Sequence, residues 1–220
     1  MPEGRRRAPR GQGQALRGEV LHAAMALLRE TGDEASVSLR AVAERVGVTV
    51  PSIYLHFADK TALMDAVCAE VFDALHVVMK EASADAPDPF EGLRRQGVAY
   101  VRFALANPEH YRIVMSRTPE GLDPAEEVVS GAFGYLLESV SDCTRLGLLE
   151  GDPVELGLRL WASAHGIASL LIAKPTFPWP PVDDVVDRAI RSAGIGLAAE
   201  SRLPEGLAPE EIARRVDLIR

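Results

Sequence analysis

Hydrogen-bonding side chains are concentrated in one short stretch of the sequence. Hydroxyl, imidazole and ammonium groups occur there together, and they belong to Thr49, Ser52, Tyr54, His56 and Lys60. Such groups donate hydrogen bonds to phosphate oxygens and to the edges of bases. The stretch carries no catalytic signature, so it predicts recognition of a polyanion and not bond-breaking chemistry.

An amphipathic helix is predicted just before this stretch. Apolar residues recur at i, i+3, i+4 and i+7, which places them on one face of a helix. They are Leu39, Val42, Ala43 and Val46. Ser38 is a suitable N-cap, and Gly47 follows the last apolar position, where a left-handed residue ends a helix at little cost. Val48 is expected to fill the angle between this helix and the next.

The second helix is predicted to be very short. Thr49 is placed to cap it, and Pro51 is tolerated in its first turn. Ile53 and Phe57 then face inward. The outward positions are Thr49, Val50, Ser52, Tyr54 and His56. A short helix that presents such side chains and is angled against a neighbour is typical of a helix-turn-helix DNA reader.

The charge distribution favours contact with a polyanion at one end of the chain only. The 220 residues carry a net charge of −8, with 47% hydrophobic and 25% charged residues, as in ordinary globular proteins. Residues 1–62 hold nine Lys/Arg against seven Asp/Glu, and the remainder holds fifteen against twenty-five. Arg5, Arg6, Arg7 and Arg10 form a basic arm on an acidic body.

The cellular compartment is predicted from cysteine usage and from the absence of targeting signals. Cys68 and Cys143 lie far apart within apolar helical patterns, so they are expected to be buried free thiols in a reducing cytoplasm. The charged N-terminal residues are not followed by the apolar core of a signal peptide. The longest apolar run, from Leu160 to Ala173, is interrupted by His165 and is expected to be too short to span a membrane.

The whole chain is predicted to be all-α, because no alternating strand pattern of useful length occurs. Residues 1–13 are expected to be disordered. Asp59 is placed to cap a long helix that buries Leu63 to Val78 at helical spacing, and a Pro/Asp stretch at 84–89 ends it. The predicted helices cover 14–31, 38–46, 49–57, 59–83, 90–106, 108–117, 123–146, 153–173, 182–202 and 209–219.

Two sets of motifs carry a family resemblance. The first is Ile53-Tyr54-x-His56-Phe57-x-x-Lys60-x-x-Leu63. With SLRAVAERVGV before it, it resembles the TetR-type family of bacterial transcriptional regulators over residues 14–63. The second set is Asn107-Pro108-x-x-Tyr111 and Trp161-x-x-x-His165-Gly166. It resembles the TetR subgroup with a Trp…His-Gly signature in the ligand-binding half.

The resemblance implies a homodimer whose DNA-binding head is gated by a small-molecule effector, usually a repressor of an operator in double-stranded DNA. It divides the chain into a basic arm (1–13), a three-helix helix-turn-helix head (14–63) and a larger helical ligand-binding and dimerisation domain (64–220). Small-molecule binding or an adaptor role on the same fold, without operator binding, is the alternative function.

DNA contacts are transferred position by position from the family pattern. Tyr54 and His56 would touch phosphate and nearby groove atoms, and Lys60 would hold a phosphate. The other implied contacts are Ser38 and Arg40 to the backbone, Thr49, Val50 and Ser52 to base edges, and Arg5, Arg6 and Arg7 to the minor groove or phosphates. Plain packing of Tyr54 and His56, a surface role for Lys60 and a solvated arm are the alternatives.

Trp161 and His165 stand at i and i+4, so they share one helix face. They are expected to form a pocket wall with one polar group, which is typical of apolar ligand sites. Tyr100, Phe103, Tyr111, Met115 and Phe133 are candidates for the same cavity. Ordinary core packing is the alternative for each of these residues.

The helices predicted at 153–173 and 182–202 are rich in small residues. Glycine within a helix costs about 1 kcal/mol relative to alanine, so its retention suggests close packing. The residues expected at a dimer interface are Ala162, Gly166, Ser169, Ile190, Gly194 and Leu197. Packing within one chain is the alternative.

The sequence predicts no enzyme, cofactor or metal site. It has no G-x-S-x-G, H-E-x-x-H or P-loop motif. Its five histidines are scattered, without the i, i+4 pair or the cysteine neighbours that a metal site needs.

Overall fold

The computed structural model describes residues 12–117 and 131–200, together with scattered positions between 202 and 214. Within these ranges the chain forms nine α-helices and no strand, which confirms the all-α prediction. The helices are α1 (Gln12–Thr31), α2 (Leu39–Val46), α3 (Val50–Tyr54), α4 (Lys60–Ser83), α5 (Pro89–Ala106), α6 (Pro108–Ser116), α7 (Gly131–Arg145), α8 (Pro153–Ala173) and α9 (Val182–Glu200).

Local capping signals account for the start and end of α2. The Ser38 side chain accepts a hydrogen bond from the Ala41 amide at 3.1 Å. Gly47 has φ +76° and ends the helix in the left-handed conformation. Val48 packs, partly buried, against the core of the head. These three predictions are confirmed, whereas the 3₁₀ turn Glu34–Ser36 between α1 and α2 was not predicted.

The long helix α4 begins where the sequence predicts. Asp59 Oδ1 accepts the Ala62 amide at 2.8 Å, which confirms the cap. The prediction that Val78 is buried is wrong, because its side chain is 37% exposed. Met79 is buried instead, since it lies four residues after Leu75 and continues that face of the helix.

The chain divides into two compact units, and the described residues of each are considered separately. The first unit contains residues 1–74 and 107–122, and the second contains 75–106 and 123–220. The first unit therefore groups α6 with α1 to α3 and the first part of α4, whereas the sequence-based division placed 64–220 in one domain. His110 Nε2 on α6 is 2.9 Å from the Met25 carbonyl oxygen on α1, and Ile113 packs against the same core.

The second unit is built from α5, α7, α8, α9 and the last residues of α4. Two glycines lie where helices approach closely. A Cβ at Gly97 would lie 2.7 Å from Ile190 Cγ2, and a Cβ at Gly157 would lie 2.5 Å from Leu137 Cδ2. The absence of these two side chains lets α5 pack on α9 and α7 pack on α8.

The apolar run in α8 belongs to a longer helix than the sequence-based argument assumed. The helix has 21 residues and, by length and composition alone, is long and apolar enough to cross a membrane. The prediction that the run is too short for a span is therefore wrong for the whole helix. Only 28% of its most apolar window is buried within the chain, so much of its surface is left uncovered.

Three predicted features lie partly or wholly outside the described residues. They are the basic arm with Arg5, Arg6 and Arg7, the beginning of the helix predicted from Asp123, and most of the final helix predicted at 209–219.

Candidate functional site

The predicted DNA-contacting residues differ in how far they are exposed on the first unit. Ser38, Arg40, Thr49 and Tyr54 are exposed, and Tyr54 retains 54% of its accessible surface. Val50, Ser52, His56 and Lys60 are half-buried. The inward partners Ile53 and Phe57 are fully or almost fully buried, which fixes the outward face of α3.

The two hydroxyls at the start of α3 bond to each other. Thr49 Oγ1 and Ser52 Oγ are 2.9 Å apart, and the Ser52 amide donates to the Thr49 carbonyl oxygen at 2.9 Å. Thr49 occupies the N-cap position without a side-chain bond to an amide. The pair forms a small polar group at the end of the helix that would enter a groove.

Lys60 has a partner inside the head. Its Nζ donates to the Glu34 carbonyl oxygen at 2.6 Å. The ammonium group carries three N–H donors, so two remain for other acceptors. The Glu34 contact fixes the position of the charge at the start of α4.

Two apolar side chains qualify the predicted reading face. Val50 packs partly against the core of the head, so only part of it can contact a base. Leu55 follows Tyr54 and is 82% exposed, and the sequence analysis did not select it. Its position between the inward residues Ile53 and Phe57 could have identified it as an exposed position.

The described part of the head has no excess of positive charge. Residues 12–62 hold five Lys/Arg and six Asp/Glu. Arg45 is engaged with Glu30 through two contacts of 2.6 Å, whereas Arg40 has no printed ion pair among the described residues. A net positive charge in residues 1–62 therefore depends on Arg5, Arg6, Arg7 and Arg10, which lie outside the described residues.

The second unit encloses a cavity of about 260 Å³. Its walls come from Met79, from α5, α7, α8 and α9, and from Leu149. Two of the predicted ligand-binding residues, Tyr100 and Trp161, line it. Most of the other lining side chains are aliphatic or aromatic, and the sequence analysis selected none of them as ligand contacts.

Tyr100, Trp161 and His165 form a polar group at the cavity. Trp161 Nε1 donates to the Tyr100 hydroxyl at 3.2 Å, and that hydroxyl lies 3.4 Å from His165 Nδ1. His165 Nε2 is 3.3 Å from Ser169 Oγ. Burial lowers the pKa of His165, because desolvation disfavours the imidazolium.

The remaining predicted ligand-binding residues do not line the cavity. Phe133 contacts Trp161, with ring centroids 5.7 Å apart, and Phe103 is half-buried on α5. Tyr111 and Met115 are on α6 in the first unit. The structure thus brings Tyr100, Phe133, Trp161 and His165 together and separates Tyr111 and Met115 from them.

An ion-pair cluster adjoins the cavity and was missed by the sequence analysis. Arg94 donates to both Glu91 oxygens, at 2.8 and 2.7 Å, and also to Asp187. The hydrogen bond from Arg94 is the main reason that the pKa of Glu91 falls to about 2. Ninety-three positions separate Arg94 from Asp187, so sequence spacing gives no signal for this pair.

The predicted dimer residues fall into two groups. Ile190 and Leu197 are buried within the chain, and a Cβ at Gly194 would lie 3.3 Å from the Phe90 ring. Ala162 is exposed, Gly166 and Ser169 are half-buried, and a Cβ at Gly166 would meet nothing within 4 Å.

The described residues contain no group of three or more His, Cys, Asp or Glu side chains that could hold a metal ion. Cys68 and Cys143 are buried free thiols, and burial raises the pKa of each to about 11. Neither thiol is therefore suited to act as a nucleophile at neutral pH.

Comparison with known proteins identifies relatives of both halves of the chain. It is 28% identical over 104 residues to the tetracycline repressor protein class D of Escherichia coli, a match that covers 47% of this chain and 46% of that protein. It is 30% identical over 127 residues to the HTH-type transcriptional repressor KstR2 of Mycobacterium tuberculosis, covering 57% and 60%. The chain thus spans about half the length of these curated relatives.

The fold also matches solved structures. A protein of unknown function from Rhodococcus sp. RHA1 superposes with a TM-score of 0.73 at 29% identity, covering 83% of this chain and 95% of that one. Residues 20–67 match the model of the bacterial regulatory proteins of the tetR family, and residues 93–193 match that of the tetracyclin repressor-like C-terminal domain. Because both halves match, the chain belongs to the TetR family of bacterial regulatory proteins.

Proposed function

We propose that this protein is a transcriptional regulator that binds an operator through α2 and α3 and releases it when a small molecule occupies the cavity of the second unit. The observation that carries the proposal is the exposed Tyr54 beside the Thr49–Ser52 hydroxyl pair, on a buried helix-turn-helix core. Repression is the favoured direction, since the two curated relatives described above are named repressors.

Contacts on the DNA side would divide into two kinds. Arg40, Lys60 and the basic arm supply positive charge for phosphates, which provides affinity without sequence preference. Thr49, Ser52 and Tyr54 supply the side chains closest to base edges, with apolar contact from Val50 and Leu55. Few donors are available for direct readout, so the shape of the DNA would contribute to specificity.

A homodimer is part of the proposal. Uncovered apolar side chains on α8 and α9 support it: Leu158 is 45% exposed, Leu170 is 53% exposed and Ile195 is 47% exposed. Gly166 and Gly196 offer space next to them, because an added Cβ would meet nothing within 4 Å. A second copy would cover this surface, and a two-fold dimer would read a palindromic operator. DNA and reduced thiols both place the protein in the cytoplasm.

Selection of random double-stranded DNA with the purified protein, followed by fluorescence anisotropy, tests DNA binding. Arg40→Ala should weaken binding to all sequences and lower the slope of log K against log salt by about 0.9. Arg145→Ala is the matched control, since this exposed arginine lies in the second unit. Failure to enrich any sequence would contradict operator binding and favour the small-molecule-binding or adaptor alternative.

A further inference from the structure

The cavity of the second unit restricts both the size and the charge of its ligand. This inference rests on the proposed function, in which the cavity holds the effector. Its apolar lining includes Met79, Phe90, Leu93, Leu136, Leu149 and Ile190. Such walls favour hydrocarbon surface, because apolar area leaves water on binding.

The volume sets an upper limit on the ligand. Since a water molecule occupies about 30 Å³ of the liquid, 260 Å³ corresponds to about nine water molecules. A methylene group is of similar size, so the space suits about nine or ten non-hydrogen atoms. This lies below the range of about 300–1,000 Å³ for pockets that hold drug-sized molecules.

The charges at the cavity already balance one another. Arg94 is held by Glu91 and Asp187, and Glu91 also receives a hydrogen bond from Arg95 at 3.0 Å. Asp88 and Arg191, which complete the charged lining, carry opposite signs. A charged ligand would have to displace one of these partners, and a buried charge without a partner is costly. The cavity therefore favours an uncharged molecule.

One polar contact is available at the Tyr100–Trp161 end. The indole N–H donates to the tyrosine hydroxyl at 3.2 Å, which is longer than the usual separation of about 2.9–3.0 Å. Both side chains line the cavity, and the tyrosine hydroxyl can donate as well as accept. A ligand oxygen placed here would accept from the indole or from the hydroxyl.

We infer that the cavity binds an uncharged, mainly hydrocarbon molecule of about nine or ten non-hydrogen atoms with one oxygen acceptor, an alcohol or a ketone, whose oxygen lies at Trp161 and Tyr100. The hydrocarbon part lies against Leu93, Leu136 and Ile190.

Calorimetric titration of the full chain with straight-chain methyl ketones of increasing length tests the size and charge limits. Affinity should rise about fourfold for each added methylene and stop rising at about nine or ten non-hydrogen atoms. Nonanoate and nonylamine should bind at least about tenfold more weakly than the methyl ketone of nine carbons, because each would bury an unpaired charge. Equal or tighter binding of either ion, or affinity that keeps rising with length, would overturn the inference.

A matched pair of variants tests the oxygen site. Trp161→Phe should weaken ketone binding by about three- to tenfold, since it removes the N–H donor. Trp179→Phe should leave the affinity unchanged, because the Trp179 indole donates to the Lys174 carbonyl oxygen at 2.9 Å and does not line the cavity. Equal affinities of the two variants would contradict the assigned oxygen position. If Trp161→Phe does not fold, Ala193→Leu in the cavity wall should shift the preferred chain length downwards, and an unchanged preference would overturn the inference.

DNA release is measured separately, so that the two proposals fail differently. A ketone that binds within the predicted size limit and leaves DNA bound contradicts effector gating and supports the ligand class. Release of DNA by a charged or much longer compound supports gating and overturns the ligand class.

Discussion

Lys60 Nζ donates to the backbone carbonyl oxygen of Glu34 at 2.6 Å, so the lysine expected to hold a phosphate also closes the 3₁₀ turn between α1 and α2. The Glu34 side chain accepts from Arg117 at 2.5 Å, and Arg117 donates to Asp65 at 2.7 Å as well. Glu34 therefore joins the end of α6 to the start of α4 within the first unit.

Replacing Lys60 with methionine should affect stability and DNA binding together. We expect a loss of about 1–2 kcal/mol in the free energy of unfolding, because a hydrogen bond from a charged donor is removed. The slope of log K against log salt should also fall by about 0.9, for one phosphate contact. Chemical denaturation and salt-dependent anisotropy measure the two effects. Lys80→Met, at an exposed position of α4, is the control, and a stability loss with an unchanged salt slope would restrict Lys60 to the structural role.

Arg117 should matter more for stability than a surface arginine of the same helix end. Its side chain is 18% exposed, and Arg117→Met would leave Glu34 and Asp65 without their partner. We expect a loss of about 2–3 kcal/mol, below the 3–5 kcal/mol typical of fully buried pairs. Arg112→Met, whose ion pair with Glu109 is 53% exposed on the arginine side, should change stability by less than about 1 kcal/mol.

The same denaturation experiment can include the double variant Asp65→Asn with Arg117→Met. It should recover part of the loss, because it also removes one of the unpaired carboxylates. Equal effects of Arg117→Met and Arg112→Met would contradict the assigned role of Arg117.

Local features of the fold could be predicted from the sequence, and contacts between distant segments could not. The caps at Ser38 and Asp59 each depend on an amide three residues later, so the pattern of neighbours determines them. The Lys60–Glu34 bond joins residues 26 positions apart, and the cavity requires five separate parts of the chain. Helical periodicity indicates which residues face inward, but not which helix each face meets.

The candidate ligand residues illustrate the same limit. Trp161 and Tyr100 were predicted together and both line the cavity, whereas Tyr111 has the same aromatic character and lies in the first unit. Gly194 resembled an interface glycine in the sequence, but the Phe90 ring occupies the space beside it. Composition cannot distinguish a helix face covered by its own chain from one that awaits a partner.

The proposed dimer can be tested at Gly166. An arginine at this position projects into space that the single chain leaves open, so Gly166→Arg should fold and fail to dimerise. Gly18→Arg, on α1 in the first unit, has equally open surroundings and should remain dimeric. Sedimentation velocity at micromolar concentration distinguishes the two states. A monomeric wild-type protein, or a dimeric Gly166→Arg variant, would contradict the proposed interface.

His165 should make stability depend on pH in a defined direction. The pKa of unfolded histidine is near 6.5, and burial lowers the pKa of His165 in the folded protein. Below about pH 6.5 the unfolded chain therefore takes up a proton that the folded chain does not, and stability is lost as pH falls. The contribution is fully present above this range. Denaturation curves should show that the difference in stability between wild type and His165→Asn shifts against the wild type between pH 7 and pH 5.5, and parallel pH profiles would refute the assignment.

The basic arm should dominate the salt dependence of DNA binding. Residues 12–62 contain five Lys/Arg and six Asp/Glu, so Arg5, Arg6, Arg7 and Arg10 supply the positive excess of the DNA-binding end. Removing residues 2–10 should weaken binding to selected and to random DNA alike, since phosphate contacts carry no sequence preference. The slope of log K against log salt should fall by about 0.9 for each lost contact. Replacing the four arginines with lysines is the control, because it keeps the charge and should preserve most of the slope. If the truncated protein keeps the full slope, the contacts that release counterions belong to Arg40, Lys60 and the rest of the head, and the arm does not bind phosphate.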